Sequence, residues 1–273
     1  MNKKTIIRIV AALCILSIPV YNLCKMHNKN KAPESKANVD LSAVEEINQN
    51  EVNDVMQNVG GIDADEASGK NSHSDKGKSQ FTPEEIFEKV QNDETSYPKI
   101  YSDALICGDS LVESLQYYSV LNSENVIGKV SASLYDLQDI SDQIISYHPK
   151  TLVLHYGQNH VENGSDTYVN NFVSFYKPIV ENFKKQLPGT RIFISSIFPA
   201  NEHGLADSPY LSAIPAYNEG LKKMCQELGV EYLDNSPLFE GDLSFYEPDG
   251  VHMTKVFYTD HWLPFMAYEL NLI

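Results

Sequence analysis

Three short stretches of this chain carry residue types that can do chemistry together. Cys107-Gly108-Asp109-Ser110-Leu111 puts a serine where an apolar run gives way to a helical pattern. A serine at such a strand-to-helix turn has its hydroxyl at the sheet edge, near the free amides of the helix start. His155-Tyr156-Gly157-Gln158-Asn159-His160 follows another apolar run, and Asn159 can offer its side-chain amide to a developing oxyanion. Glu247-Pro248-Asp249-Gly250-Val251-His252 holds an acid and an imidazole three residues apart on a turn. At that spacing a carboxylate can bond one ring nitrogen and leave the other to act as a base. Each stretch alone also has a plain structural reading: Asp109 or Ser110 as a helix cap, Asn159 as a turn residue, and the Asp249 turn as a capped loop. It is the set, in this order and at strand ends, that points to chemistry.

Such residues need a scaffold that gathers distant segments at one edge. Apolar runs at Ala104–Cys107, Asn125–Ile127, Thr151–His155, Arg191–Ile197 and Val230–Leu233 predict strands. Helical patterns at Ser110–Tyr118, Leu134–Tyr147, Tyr168–Gln186 and Leu211–Leu228 separate or flank them, and Lys255–Leu270 closes the chain. Strand and helix alternating in this way predict an α/β fold, three-layer α/β/α, with a parallel sheet whose ligands bind beyond the carboxyl ends of the strands. Order is expected from about Phe81, where Thr82-Pro83-Glu84-Glu85 reads as a capped helix start. Phe172, Phe175, Ile179 and Phe183 share one helical face and are expected in the core, as is Trp262.

The set Gly108-Asp109-Ser110-Leu111, Gly157-Gln158-Asn159 and Asp249 with His252 resembles the sequence blocks of the SGNH/GDSL hydrolases, over about residues 100–273. The resemblance implies a flavodoxin-like sheet and a serine esterase that needs no cofactor or metal. It casts Ser110 as nucleophile, His252 as base, Asp249 as orienting acid, and Asn159 with the Ser110 amide as oxyanion donors. Two positions depart from the family pattern. His160 stands where an aspartate usually follows the block-three asparagine. In the second block, Val126–Ser133, Gly128 is the only glycine, whereas a Ser-Gly register places Ala132 at the donor position. The donor there is a backbone N–H, which alanine also has, so both Gly128 and Ala132 stand as candidates. Water would release the acyl group; an acceptor hydroxyl in its place would make the enzyme a transferase.

The formal charge of −16 is uneven. Residues 1–31 hold six bases and no acid, residues 32–98 fifteen acids against five bases, and residues 99–273 twenty-two acids against ten bases. An acidic domain with scattered lysines argues against nucleic-acid binding, which needs a basic face. From Thr5 to Leu23 run 19 residues whose one charge is Arg8, close to the ~20 needed to cross a hydrocarbon core. A cleaved signal peptide is the rival reading, but Leu23-Cys24-Lys25 is no small-x-small site. Lys3, Lys4 and Arg8 before the span are nearly balanced by Lys25, Lys29 and Lys31 after it, so the positive-inside rule gives little help. The expectation is a single-pass cell-membrane anchor over 1–24, a disordered acidic spacer over 25–80 and an extracytoplasmic hydrolase domain over 81–273, secreted if the leader is removed.

Other residues read more plainly. His155, His160, His252 and His261 with Asp249 and Asp260 show no metal-site spacing. Cys107 and Cys225 are expected as buried thiols, not a bridge. Tyr117, Tyr118, Tyr156 and Tyr210 are candidates for a sugar cleft, with core packing as the alternative. An anchored domain on a tether suits ester-linked acetyl groups on surface glycan, neutral or positively charged in view of the acidic domain. A lysophospholipase- or thioesterase-like lipid esterase, or a silent carbohydrate-binding module on the same fold, are the competing expectations.

Overall fold

Thr82 begins the ordered helices in the way its sequence dictates. Its hydroxyl accepts from the Glu85 amide at 3.3 Å while the Glu85 carboxylate takes the Thr82 amide at 2.8 Å, capping α1 (Pro83–Gln91). The computed structural model describes residues 78–241 and 244–273. The anchor expected at 1–24 and nearly all of the spacer expected at 25–80 lie outside them. Among the described residues no helix is long and apolar enough to cross a membrane.

After α2 (Tyr97–Ile100) the chain alternates strand and helix. In order come β1 (Ala104–Gly108), α3 (Ser110–Tyr117), β2 (Val126–Gly128), α4 (Leu134–Asp139), α5 (Ser141–Tyr147) and β3 (Thr151–His155). Then follow α6 (Asp166–Gln186), β4 (Arg191–Ser195), α7 (Glu202–Asp207), α8 (Ile214–Leu228), β5 (Glu231–Leu233) and α9 (Leu263–Glu269). The five strands form one parallel sheet in the order β2-β1-β3-β4-β5. Both faces are covered, so β1 and β3 are buried at every residue and read as unbroken apolar runs. Period-2 alternation still sorts their side chains. Leu105, Cys107, Leu152 and Leu154 face a core with α4, α5, α6 and α8. Ala104, Ile106 and Val153 face a second core built by α1, α3 and α9. Phe172, Phe183 and Trp262 are buried as expected, and Cys107 and Cys225 are buried free thiols.

The differences from the expected elements have local causes. The helix expected over Leu134–Tyr147 breaks at Ile140 (ψ 5°), where the Ser141 hydroxyl bonds the Leu137 carbonyl at 3.0 Å and bends the axis. β4 stops at Ser195, not Ile197, because Asn218 captures both the amide and the carbonyl of Ile197, at 2.8 and 2.9 Å. The closing helix opens with a π-helical stretch, Phe257–Trp262. There the Tyr97 hydroxyl takes the Thr259 carbonyl and the Tyr101 hydroxyl takes that of Leu263. Helix α7 was not expected at all. It has little apolar periodicity and is held by its cap, Asn201, whose Oδ1 accepts from the His203 and Gly204 amides.

The sheet order reverses at β1, which runs to β2 on one side while β3 lies on the other. The crevice at the carboxyl ends of β1 and β3 is the topological switch point, where open α/β sheets bind ligands. The segments with Ser110 and Asn159 leave the sheet there.

Candidate active site

Ser110 is the first residue of α3, and Asp109 caps that helix with Oδ1 accepting the Leu111 amide at 3.0 Å. The Ser110 amide, at the first helical position, has no acceptor within its own helix. Its Oγ lies 2.9 Å from Nε2 of His252, a residue 142 positions later. His252 Nδ1 lies 2.6 Å from Asp249 Oδ2, and the other carboxylate oxygen accepts the Val251 and His252 amides, each at 2.9 Å. Asp249 therefore grips the ring and the backbone of the same histidine. The bond from Asp249 raises the His252 pKa against the opposing effect of burial, with help from the charges of Asp249, Asp109 and Glu247. For Asp249, burial pushes the pKa up, but the bonds from the His252 ring and the two amides outweigh it and hold it below the usual carboxylate range. An ionised acid, an imidazole with its outer nitrogen on a hydroxyl, and a serine at a helix start can activate that serine for attack on a carbonyl.

Asn159, in the turn after β3, donates one Nδ2 hydrogen to the Ala132 carbonyl at 2.9 Å. That bond orients the amide and leaves its second hydrogen for another acceptor. The two second-block candidates separate here. Gly128 is explained by packing, since a Cβ on it would sit 2.3 Å from the Glu113 amide nitrogen of α3. Ala132 is the one beside Asn159, but its own amide already donates to the Lys129 carbonyl at 3.0 Å. It can serve a further acceptor only through a shared bond. Among the expected positions, Ser110, Asp249 and His252 are joined by hydrogen bonds, Asn159 is tied to Ala132, and Gly128 underlies α3.

The other histidines go elsewhere. His155 is buried, with Nδ1 2.9 Å from Ser195 Oγ, and burial lowers its pKa to about 3. His261 packs on the rings of Phe245 and Phe257. Among the described residues no three His, Cys, Asp or Glu side chains converge as metal ligands. The tyrosines also divide. Tyr156 is core, whereas Tyr117 is 68% exposed, two turns from Ser110 on the same helical face. Tyr135, 64% exposed, has its ring centre 6.4 Å from that of His160.

Two residues near the site, Tyr118 and Asn201, carry no motif that marks them, and a third, Asp109, lies in the first motif with no role there beyond a helix cap. Tyr118 bonds Glu247 at 3.1 Å, and the Asn201 amide donates to the Gly250 carbonyl at 2.9 Å, so α3 and α7 both hold the Asp249–His252 turn. Asp109 is fully buried, its Oδ2 has no hydrogen-bond partner, and desolvation lifts its pKa to about 7 despite the Leu111 amide and the nearby His252. The sequence marks Asp109 as a block residue and a helix cap, and the cap forms, but its burial is not legible there.

The GDSL-like lipase/acylhydrolase family model matches residues 102–259. Similar solved structures include a GDSL-like lipase from Parabacteroides merdae, 14% identical with a TM-score of 0.49, covering 63% of this chain and 97% of that one. A GDSL-like lipase from Bacteroides thetaiotaomicron is 15% identical with a TM-score of 0.47, covering 68% and 95%. A variant of an acetyl-xylooligosaccharide esterase from Geobacillus is 16% identical with a TM-score of 0.45, covering 60% and 92%. No curated protein matches the chain. With the family model spanning more than half of its length, the chain belongs to the GDSL-like lipase/acylhydrolase family and is a carboxylic ester hydrolase.

Proposed function

We propose that the protein is a serine esterase that works through Ser110, with O-acetyl groups on cell-surface glycan as its substrate. The observation that carries the mechanism is the unbroken Ser110–His252–Asp249 chain of hydrogen bonds. His252 takes the Ser110 proton as Oγ attacks the acyl carbonyl, and Asp249 stabilises the imidazolium so formed. The resulting oxyanion is held by the Ser110 amide and the second Nδ2 hydrogen of Asn159, with a share of the Ala132 amide. His252 then returns its proton to the departing alkoxide, leaving an acyl-serine. Water attacks that ester in the same way, or a sugar hydroxyl does so in a transfer. Two features favour a glycan. The exposed rings of Tyr117 and Tyr135 border the Ser110 helix and the His160 turn, and an acidic domain disfavours phosphate-rich polymers. The apolar Thr5–Leu23 segment supports a membrane-anchored, extracytoplasmic placement.

The test is hydrolysis of p-nitrophenyl acetate and of an O-acetylated polysaccharide by the full chain, beside Ser110→Ala. Loss of about 10³-fold or more in kcat is expected for Ser110→Ala, with acetyl favoured over octanoyl esters. Equal rates for the two proteins would sink the serine mechanism, and a preference for octanoyl esters would move the substrate to lipid. Anchoring predicts recovery of the full chain in the membrane fraction; its release to the medium would replace the anchor with a removed leader.

A further inference from the structure

His160 stands immediately after Asn159, and its ring faces the second-block loop. Its Nε2 accepts the Leu134 amide at 2.8 Å. Leu134 is the first residue of α4, so that amide has no acceptor within its own helix. One residue earlier, Asn159 reaches the same loop through the Ala132 carbonyl. Two consecutive side chains therefore fasten the 132–134 segment, one to a carbonyl and one to an amide. The His160 backbone amide completes the turn by donating to the Gly157 carbonyl at 2.8 Å. An imidazole can accept at Nε2 only when that nitrogen carries no proton.

We propose that His160 is a positioning residue whose neutral ring locks the second-block loop against Asn159, so that catalysis requires two unprotonated histidines, His252 and His160. This rests on the reading of Ser110 as the centre of acyl transfer. Protonation would turn Nε2 into a donor aimed at another donor, the Leu134 N–H. The loop carrying Ala132 would then move away, taking with it the carbonyl that orients the Asn159 amide. The groups around the ring favour the neutral form. Phe172 from α6 and Tyr135 from α4 pack on it, with ring centres 5.5 and 6.4 Å away. The nearby charges are Asp136 and Lys129, paired with each other at 2.5 Å, and Asp136 also takes the Ser133 amide and hydroxyl. Burial lowers the His160 pKa, and the charge of Asp136 only partly offsets it. His252, raised by Asp249, titrates above it.

The experiment is the pH dependence of kcat/KM from pH 4 to 8 for the full chain and for His160→Gln, each normalised to its own value at pH 8. Glutamine places Oε1 near the position of Nε2, so it keeps the acceptor for the Leu134 amide but does not titrate in the range. Below the His252 pKa, log kcat/KM of the wild type should fall first by one unit per pH unit and then, below the His160 pKa, by two. His160→Gln should show a terminal slope smaller by one. Asp109 titrates in both proteins, so the difference between the profiles isolates His160. His160→Leu, which removes the acceptor, should lower kcat at pH 8 by about tenfold or more with KM within about twofold, since oxyanion donors act chiefly in the transition state. Equal slopes for wild type and His160→Gln, or a wild-type kcat for His160→Leu, would overturn the proposal. So would loss of the near-ultraviolet circular dichroism of both proteins over the same pH range, which would assign the second proton to unfolding. If Ser110→Ala is as active as the wild type, the acyl-transfer reading itself fails. If activity depends on Ser110 but the slopes agree, only the role of His160 does.

Discussion

The Tyr118 hydroxyl lies 3.1 Å from Oε1 of Glu247 and 3.3 Å from the Met253 carbonyl. Tyr118 ends the helix that Ser110 begins, and Glu247 and Met253 flank Asp249 and His252. One side chain thus braces the Ser110–His252 distance from a point remote from that bond. The turn is closed further by the Glu247 amide on the His252 carbonyl at 2.8 Å. Replacement of Tyr118 by phenylalanine keeps the ring and removes the brace. We expect kcat on a short-chain ester to fall about three- to tenfold with KM little changed, and stability to fall by about 1 kcal/mol. An unchanged kcat would show that Asn201 and the closed turn suffice.

Asp109 places a buried carboxyl beside the site at a cost that depends on pH. Its folded pKa of about 7 exceeds its ordinary value of 3.8. Between these values the unfolded chain has released the proton and the folded chain still holds it, so stability falls as pH rises from about 4 to 7 and stays low above that. The gap corresponds to a loss on the order of 4 kcal/mol. Asp109→Asn keeps an oxygen for the Leu111 amide and cannot ionise. Thermal melts at pH 5 and pH 8 should show the wild type losing more stability over this interval than Asp109→Asn. Parallel changes in the two proteins would mean that the Asp109 carboxyl is not strained by burial.

Gly250 sits between Asp249 and the rest of its turn with φ of +68°, where a side chain strains the backbone. A Cβ there would lie 2.1 Å from Asn201 Oδ1 and 2.4 Å from the Gly204 nitrogen. Gly250→Ala must therefore push the turn off α7. A stability loss of about 1–3 kcal/mol is expected, with kcat falling more than tenfold as His252 leaves Ser110. A melt and a kcat equal to those of the wild type would refute the close fit.

Much of this was legible in the chain because it depends on neighbours in sequence. β3 spans Thr151–His155 just as its apolar run predicts, and the Thr82–Glu85 capping box forms. The break at Ile140 and the early end of β4 were not legible. The first turns on a serine choosing a carbonyl, and the second on Asn218 arriving from another helix. Among the tyrosines, composition alone did not separate buried Tyr156 from exposed Tyr117.

The sequence by itself determined the residue types, their order and the alternation that puts Ser110, Asn159 and the Asp249–His252 turn at strand ends or beside the last helix. These follow from propensities and periods that act over a few residues. Only the tertiary structure decided that Ser110 and His252 meet, that Asp109 is desolvated, and that His160 accepts the Leu134 amide. Distance, burial and the choice of hydrogen-bond partner depend on how separate elements pack, and no local pattern encodes them.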